Sequence, residues 1–149
     1  MEDNRVAQQI YYEDVVEGQE IPSLKKHPTR RQLVMWAGAS EDFYEIHYDT
    51  EFAKKNQLGT CIVHGRLKAS FLGQLLTDWI GEEGVLQKMS CRYRGTDLVD
   101  TDMFIKGTVT KKYVEGNEHR IELDVWTEKE DGVKTTQGAA TVVLPSRSN

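Results

Sequence analysis

Asp42 and His47 stand five residues apart in Asp42-Phe43-Tyr44-Glu45-Ile46-His47-Tyr48-Asp49, and Ile62-Val63-His64-Gly65 follows shortly after. A carboxylate and an imidazole at that spacing, in a segment between two helices, can converge on one water molecule. A helix N-terminus arriving just afterwards can hold a developing negative charge. Water activation beside an anion hole suits addition of water to a carbonyl-conjugated substrate, or its removal.

Each of these residues also has a plainer reading. From spacing alone Asp42 and His47 read as solvated loop residues, and only the surrounding register favours a joint catalytic role; His64 reads as a side chain that fills the start of a helix, the role favoured here. Gly65 reads as a tight-turn glycine, although its N–H would also point out of a helix start. Cys61 sits near a helix N-terminus, a setting that lowers a thiol pKa, but reads better as a small buried side chain. His27 and His119 lie among polar residues and read as solvated. No tight ligand pair such as His-x-x-x-His supports a metal site built from Asp42, His47 and His64, so no metal is expected. Arg66, Lys68, Arg92 and Arg94 are the best local source of positive charge for a phosphate-rich arm. Arg92 and Arg94 share a strand face, which makes them either a phosphate fork or a charged outer surface.

The elements that must position these groups are legible in order. Thr29-Arg30-Arg31-Gln32 has capping-box spacing and opens a helix carrying Leu33, Val34, Trp36 and Ala37, ending near Gly38 to Ser40. Asp49 caps a second, short helix with Phe52 and Ala53 inward and Gly59 as its stop. From Gly65 to Ile80, Leu67, Phe71, Leu72, Leu75, Leu76, Trp79 and Ile80 recur at three- and four-residue steps, which predicts a long amphipathic helix ended by Gly81. The period then switches to two. Met89, Cys91 and Tyr93 alternate with Ser90, Arg92 and Arg94, and Ile121, Leu123 and Val125 alternate with Glu122 and Asp124. Thr108 to Val114 and Val133 to Leu144 are further strands, and turns at Glu115-Gly116-Asn117 and Glu130-Asp131-Gly132 join the last three into an antiparallel meander. Residues 11–26 read as extended and turn-rich, and residues 1–10 as a loose polar tail. One sheet must bury one face, and the long apolar helix is the object to wrap around: an α+β arrangement.

Composition sets the outer bounds. The 149 residues fit one domain, here 11–149, with 29% charged and 38% apolar residues. A net charge of −5 argues against nucleic-acid binding, which needs a basic face. The acidic, polar N-terminus carries no secretory pattern, and no apolar stretch reaches the ~20 residues of a membrane span. Two cysteines without metal-ligand spacing suit a reducing compartment. A cytoplasmic protein with neither membrane nor nucleic-acid partner is expected.

These residues together resemble the MaoC-like, R-specific enoyl-CoA hydratase branch of the hotdog fold. That family's hallmark is Asp-x-Asn-Pro-x-His-x-Asp, then a short helix, then an apolar-apolar-His-Gly entry into the central helix. Here Asp42, His47, Asp49, Phe52-Ala53 and Ile62-Val63-His64-Gly65 fall in that register, and the resemblance extends over roughly residues 11 to 145. Tyr44-Glu45 replace the family's Asn-Pro, Arg66 its usual methionine, and Gly73 a serine that some members carry on the central helix. The Thr77-Asp78-Trp79-Ile80-Gly81 exit is similar to that of MaoC-like subunits that hydrate bulky acyl-CoA thioesters, some within heteromers.

The resemblance implies a hotdog fold and reversible hydration of a trans-2-enoyl-CoA. Asp42 and His47 would be catalytic, and Gly65 would bind the thioester oxygen. Tyr44, His64 and Gly73 would line the pocket, with Gly73 a little over two turns beyond Gly65 and close to the same helical face. Arg66, Arg92 and Arg94 would face the CoA phosphates. It implies no cofactor beyond the coenzyme A of the substrate, and a homodimer or higher oligomer, with a heteromer containing a second hotdog chain as the alternative. A hotdog acyl-CoA thioesterase is the competing activity.

Overall fold

The computed structural model describes residues 8–148. Its helices are α1 (Arg30–Ser40), α2 (Thr50–Lys55) and α3 (Gly65–Ile80), and its strands are β1 (Leu24–Lys26), β2 (Val85–Tyr93), β3 (Met103–Glu115), β4 (Glu118–Lys129) and β5 (Lys134–Leu144). The strands form one sheet in the order β1-β3-β4-β5-β2, with every neighbouring pair antiparallel. The meander β3–β4–β5 turns at Gly116 (φ 62°) and Gly132 (φ 81°), left-handed positions that favour glycine. α3 presents Phe71, Leu72, Leu75, Leu76 and Ile80 to the inner face of the sheet, where Ile105, Ile121, Leu123, Val125 and Val142 meet them in one apolar core. The long helix wrapped by the sheet is the hotdog arrangement.

The helix starts follow from their caps. Thr29 Oγ1 accepts from the Gln32 N–H at 3.2 Å, and Asp49 Oδ1 accepts from the N–H groups of Glu51 and Phe52 at 2.9 and 3.0 Å. α2 ends at Asn56, before the expected Gly59, because Asn56 and Gln57 close it with backbone bonds to Phe52, Ala53 and Lys54. Its Ala53 is buried and Phe52 half-buried.

Several expectations needed correction. β1 is a three-residue strand inside the segment read as extended and turn-rich, and β3 begins at Met103, five residues ahead of the expected Thr108. Residues 1–7 of the expected tail lie outside the described residues. Gln9 Nε2 donates to the Ile80 carbonyl at 2.8 Å and Gln9 Oε1 accepts from the Glu83 N–H at 2.9 Å, while Ile10 packs on the core. Packing therefore reaches back at least to Gln9, ahead of the expected Tyr11. No helix among the described residues is long and apolar enough to cross a membrane.

Candidate active site

α1 ends on Glu41, which adopts a left-handed φ of 59° without being glycine. That reversal throws Asp42 to Tyr44 out of the helix, and a short 3-10 turn at Glu45–His47 carries the chain inward before Asp49 caps α2. The segment Cys61–Val63 passes beside this turn. The Ile62 N–H donates to the Ile46 carbonyl at 3.1 Å, so the two segments are stitched through their backbones.

Asp42, His47 and His64 meet here, each offering one ligand-capable atom, all within 4.8 Å of one another. Asp42 is half-buried, and among the described residues its carboxylate accepts no hydrogen bond. His47 is only 6% exposed, which places it in the interior and corrects the reading of it as a solvated loop residue. Its Nδ1 lies 2.7 Å from the Ile62 carbonyl. A carbonyl only accepts, so Nδ1 carries the proton and donates it, leaving Nε2 as the free nitrogen.

His64 is fully buried and also bonds a carbonyl: its Nε2 donates to the Asp42 main-chain oxygen at 3.3 Å. Its Nδ1 has no partner among the described residues. Burial pushes the His64 imidazole pKa down from 6.5, and the neighbouring His47 pushes it the same way. The two rings stack with centroids 3.7 Å apart and planes at 18°. Rings so nearly parallel aim their lone pairs along parallel planes, poor geometry for holding one small metal ion between them.

Tyr44 stands beside the two imidazoles, exposed, with its ring edge-on to His47 at 6.4 Å and to Phe52 at 5.9 Å. Gly65 begins α3 directly behind His64. His64 supplies no side-chain cap, so the first-turn N–H groups of α3 keep their donor capacity, reinforced by the helix dipole. Gly65 does not have positive φ, so backbone conformation does not demand glycine there. The demand is space: a Cβ would lie 3.1 Å from Cζ of Tyr93, whose ring covers this position.

The remaining candidates are dispersed. A Cβ at Gly73 would meet nothing within 4 Å. Eight residues turn the helix by about 80° beyond two full turns, so Gly73 borders the open stripe of Arg66, Ser70 and Thr77 and does not share Gly65's face. Arg66 lies beside Tyr93 and draws its phenol pKa down, against the stronger upward push of burial and of Cys91. Since Tyr93 faces α3, strand alternation sends Arg92 to the opposite face of the sheet. There Arg92 and Arg94 line a shallow depression with Ser90, Gln137 and Gly138, so they are not brought together with Arg66.

Lys68 departs most from expectation. It was read as a source of surface charge, yet it is 2% exposed and pairs with Asp97, also 2% exposed, at 2.9 Å. Neither Asp97 nor Tyr93 was singled out for this site, and no local spacing in the sequence signals their arrival beside α3.

A match to the MaoC like domain model extends over residues 13–141. The chain belongs to the MaoC-like domain family. It is 29% identical over 143 residues to an (R)-specific enoyl-CoA hydratase of Rhodospirillum rubrum, with 92% of this chain and 93% of the relative aligned. Among solved structures it resembles the (R)-hydratase of A. caviae involved in PHA biosynthesis, with a TM-score of 0.79 and 26% identity over 88% of this chain and 98% of that one. It also shares its fold with the R-hydratase PhaJ1 of Pseudomonas aeruginosa, with a TM-score of 0.84 and 20% identity over 93% of this chain and 88% of that one.

Proposed function

We propose that this chain catalyses reversible syn addition of water to a trans-2-enoyl-CoA, giving the (R)-3-hydroxyacyl thioester. Membership of the MaoC-like family makes it an enzyme of the hydratase and dehydratase class. The water-addition chemistry rests on one observation above others: a carboxylate without a partner among the described residues and two buried imidazoles converge beside a helix N-terminus with no side-chain cap. The R-specific hydratase relative supports the same reading.

Asp42 takes a proton from the attacking water. The protonated Asp42 then gives that proton to the α-carbon on the same face, while His47, held by Ile62 with Nε2 free, accepts a hydrogen bond from the water and orients it for both steps. The thioester oxygen gains negative charge as the carbon–oxygen bond forms, and the Gly65 N–H is the donor that stabilises it. Tyr44, His64 and Gly73 border the acyl path, and Arg66 is the cation best placed for the coenzyme A phosphates. Coenzyme A enters as part of the substrate, with no other cofactor in the scheme.

A homodimer fits this reading, because β2 forms a nine-residue edge of the sheet and pairing there would cover it. A fully active monomer in sedimentation at micromolar concentration would refute that assembly. Two unpaired cysteines fit work in the cytoplasm.

The decisive assay follows enoyl absorbance and free thiol together on a four-carbon enoyl-CoA. Hydration removes the absorbance without releasing thiol. Thiol released in step with the absorbance loss would establish the thioesterase instead.

A further inference from the structure

We infer that the buried Lys68–Asp97 pair is a positioning device for His47, an inference that rests on the hydratase reading for its effect on turnover. Lys68 Nζ, on the first turns of α3, donates to Asp97 Oδ2 at 2.9 Å and to the Gly95 carbonyl at 2.8 Å. These bonds fasten the loop after β2 to α3. The same loop is tied to β5, where the Arg94 and Gly95 N–H groups donate to the Thr135 carbonyl at 2.8 and 3.0 Å.

The fastened loop in turn grips the segment that holds His47. The Val63 N–H donates to the Asp97 carbonyl at 2.8 Å, and the Val99 N–H donates to the Cys61 carbonyl at 2.9 Å. Between those two bonds lies Ile62, whose carbonyl accepts the His47 Nδ1–H at 2.7 Å. Lys68 and Asp97 therefore act on His47 through Asp97, Val63 and Ile62, without touching it.

Stability does not account for the pair. Two charges 2% exposed carry a large desolvation cost, and buried ion pairs commonly add no net stability over apolar residues of equal volume. Asp97 Oδ1 has no partner among the described residues, which adds to that cost. What the pair supplies is direction: a forked donor that holds one loop in one register against α3.

The test is the double variant Lys68→Met with Asp97→Asn, which removes both charges and nearly keeps the volume. Two quantities are read: turnover on a four-carbon enoyl-CoA, and the His47 Nδ1–H proton signal in a histidine-labelled NMR sample. The expected result is a melting temperature within about 5 °C of the parent, loss or broadening of the Nδ1–H signal, and a kcat about tenfold to a hundredfold lower with KM within about threefold. A retained signal with unchanged kcat overturns the inference. If the double variant does not fold, Asp97→Asn is read by the same two measures and the same criteria. A parent inactive on enoyl-CoA would defeat the hydratase reading, and the Nδ1–H signal would still decide the clamp.

Discussion

The imidazoles of His47 and His64 lie face to face, 3.7 Å between centroids, and each donates its one committed N–H to a main-chain carbonyl, of Ile62 and Asp42 respectively. This cross-stitch joins the two segments of the candidate site: the ring from the first is held by the second, and the ring from the second by the first. Burial, and next the neighbouring His47, disfavour the charged form of His64. His64, the fully buried member, is the one kept neutral.

That neutrality makes stability depend on pH. His64 has its folded-state pKa lowered below 6.5, so the unfolded chain binds a proton first as pH falls. The contribution is nil above the unfolded value and turns unfavourable as pH drops from 6.5 towards the lower folded value. Urea midpoints at pH 7.5 and pH 5 should fall more steeply for the parent than for His64→Gln. Equal slopes would show that His64 is not kept neutral.

Asp42→Asn should reduce hydration by about 10²–10⁴-fold with little change in melting temperature, because its carboxylate accepts no hydrogen bond among the described residues. His47→Gln should lose activity on the same scale but also stability, about 1–3 kcal/mol, since it is buried and its bond to Ile62 is lost. Steady-state rates and thermal melts on both variants check this, and near-parental turnover in either would remove that residue from the mechanism.

Gly73→Leu should keep or raise the melting temperature. A Cβ there meets nothing within 4 Å, and replacing a mid-helix glycine gains about 0.5–1 kcal/mol in helix propensity. A depressed melting temperature would instead mark overpacking by the rest of the leucine side chain. If the open stripe borders the acyl path, turnover of long or bulky enoyl groups should fall while the four-carbon substrate is spared. An unchanged chain-length profile would take Gly73 out of the pocket.

Local chemistry made much of this molecule legible. Apolar spacing, a starting glycine and a stopping glycine agree on the 16 residues of α3, and the structure has the helix at those bounds. The meander followed from period-two runs between turn residues. Asp42, His47 and His64 were marked by spacing and register, and the structure gathers them. What escaped the sequence was whatever depended on distant partners. Lys68 looks like a solvated helix residue until Asp97, 29 positions away, arrives to pair with it. β1 is three residues long and exists through pairing with β3, which local preference cannot reveal. Arg66 and Arg92 looked like one basic patch, but the strand's alternation sends Arg92 to the far face of the sheet.

The central claim is stereospecific water addition directed by Asp42 and His47, and one measurement tests it most directly. The purified protein is incubated with trans-crotonyl-CoA in heavy water, and the 3-hydroxybutyryl product is resolved by chiral chromatography and NMR. The account predicts a single (R)-3-hydroxy product with one deuterium at C2, delivered to the face that received the hydroxyl. An (S) or racemic product, deuterium on the opposite face, or free coenzyme A in its place would contradict it.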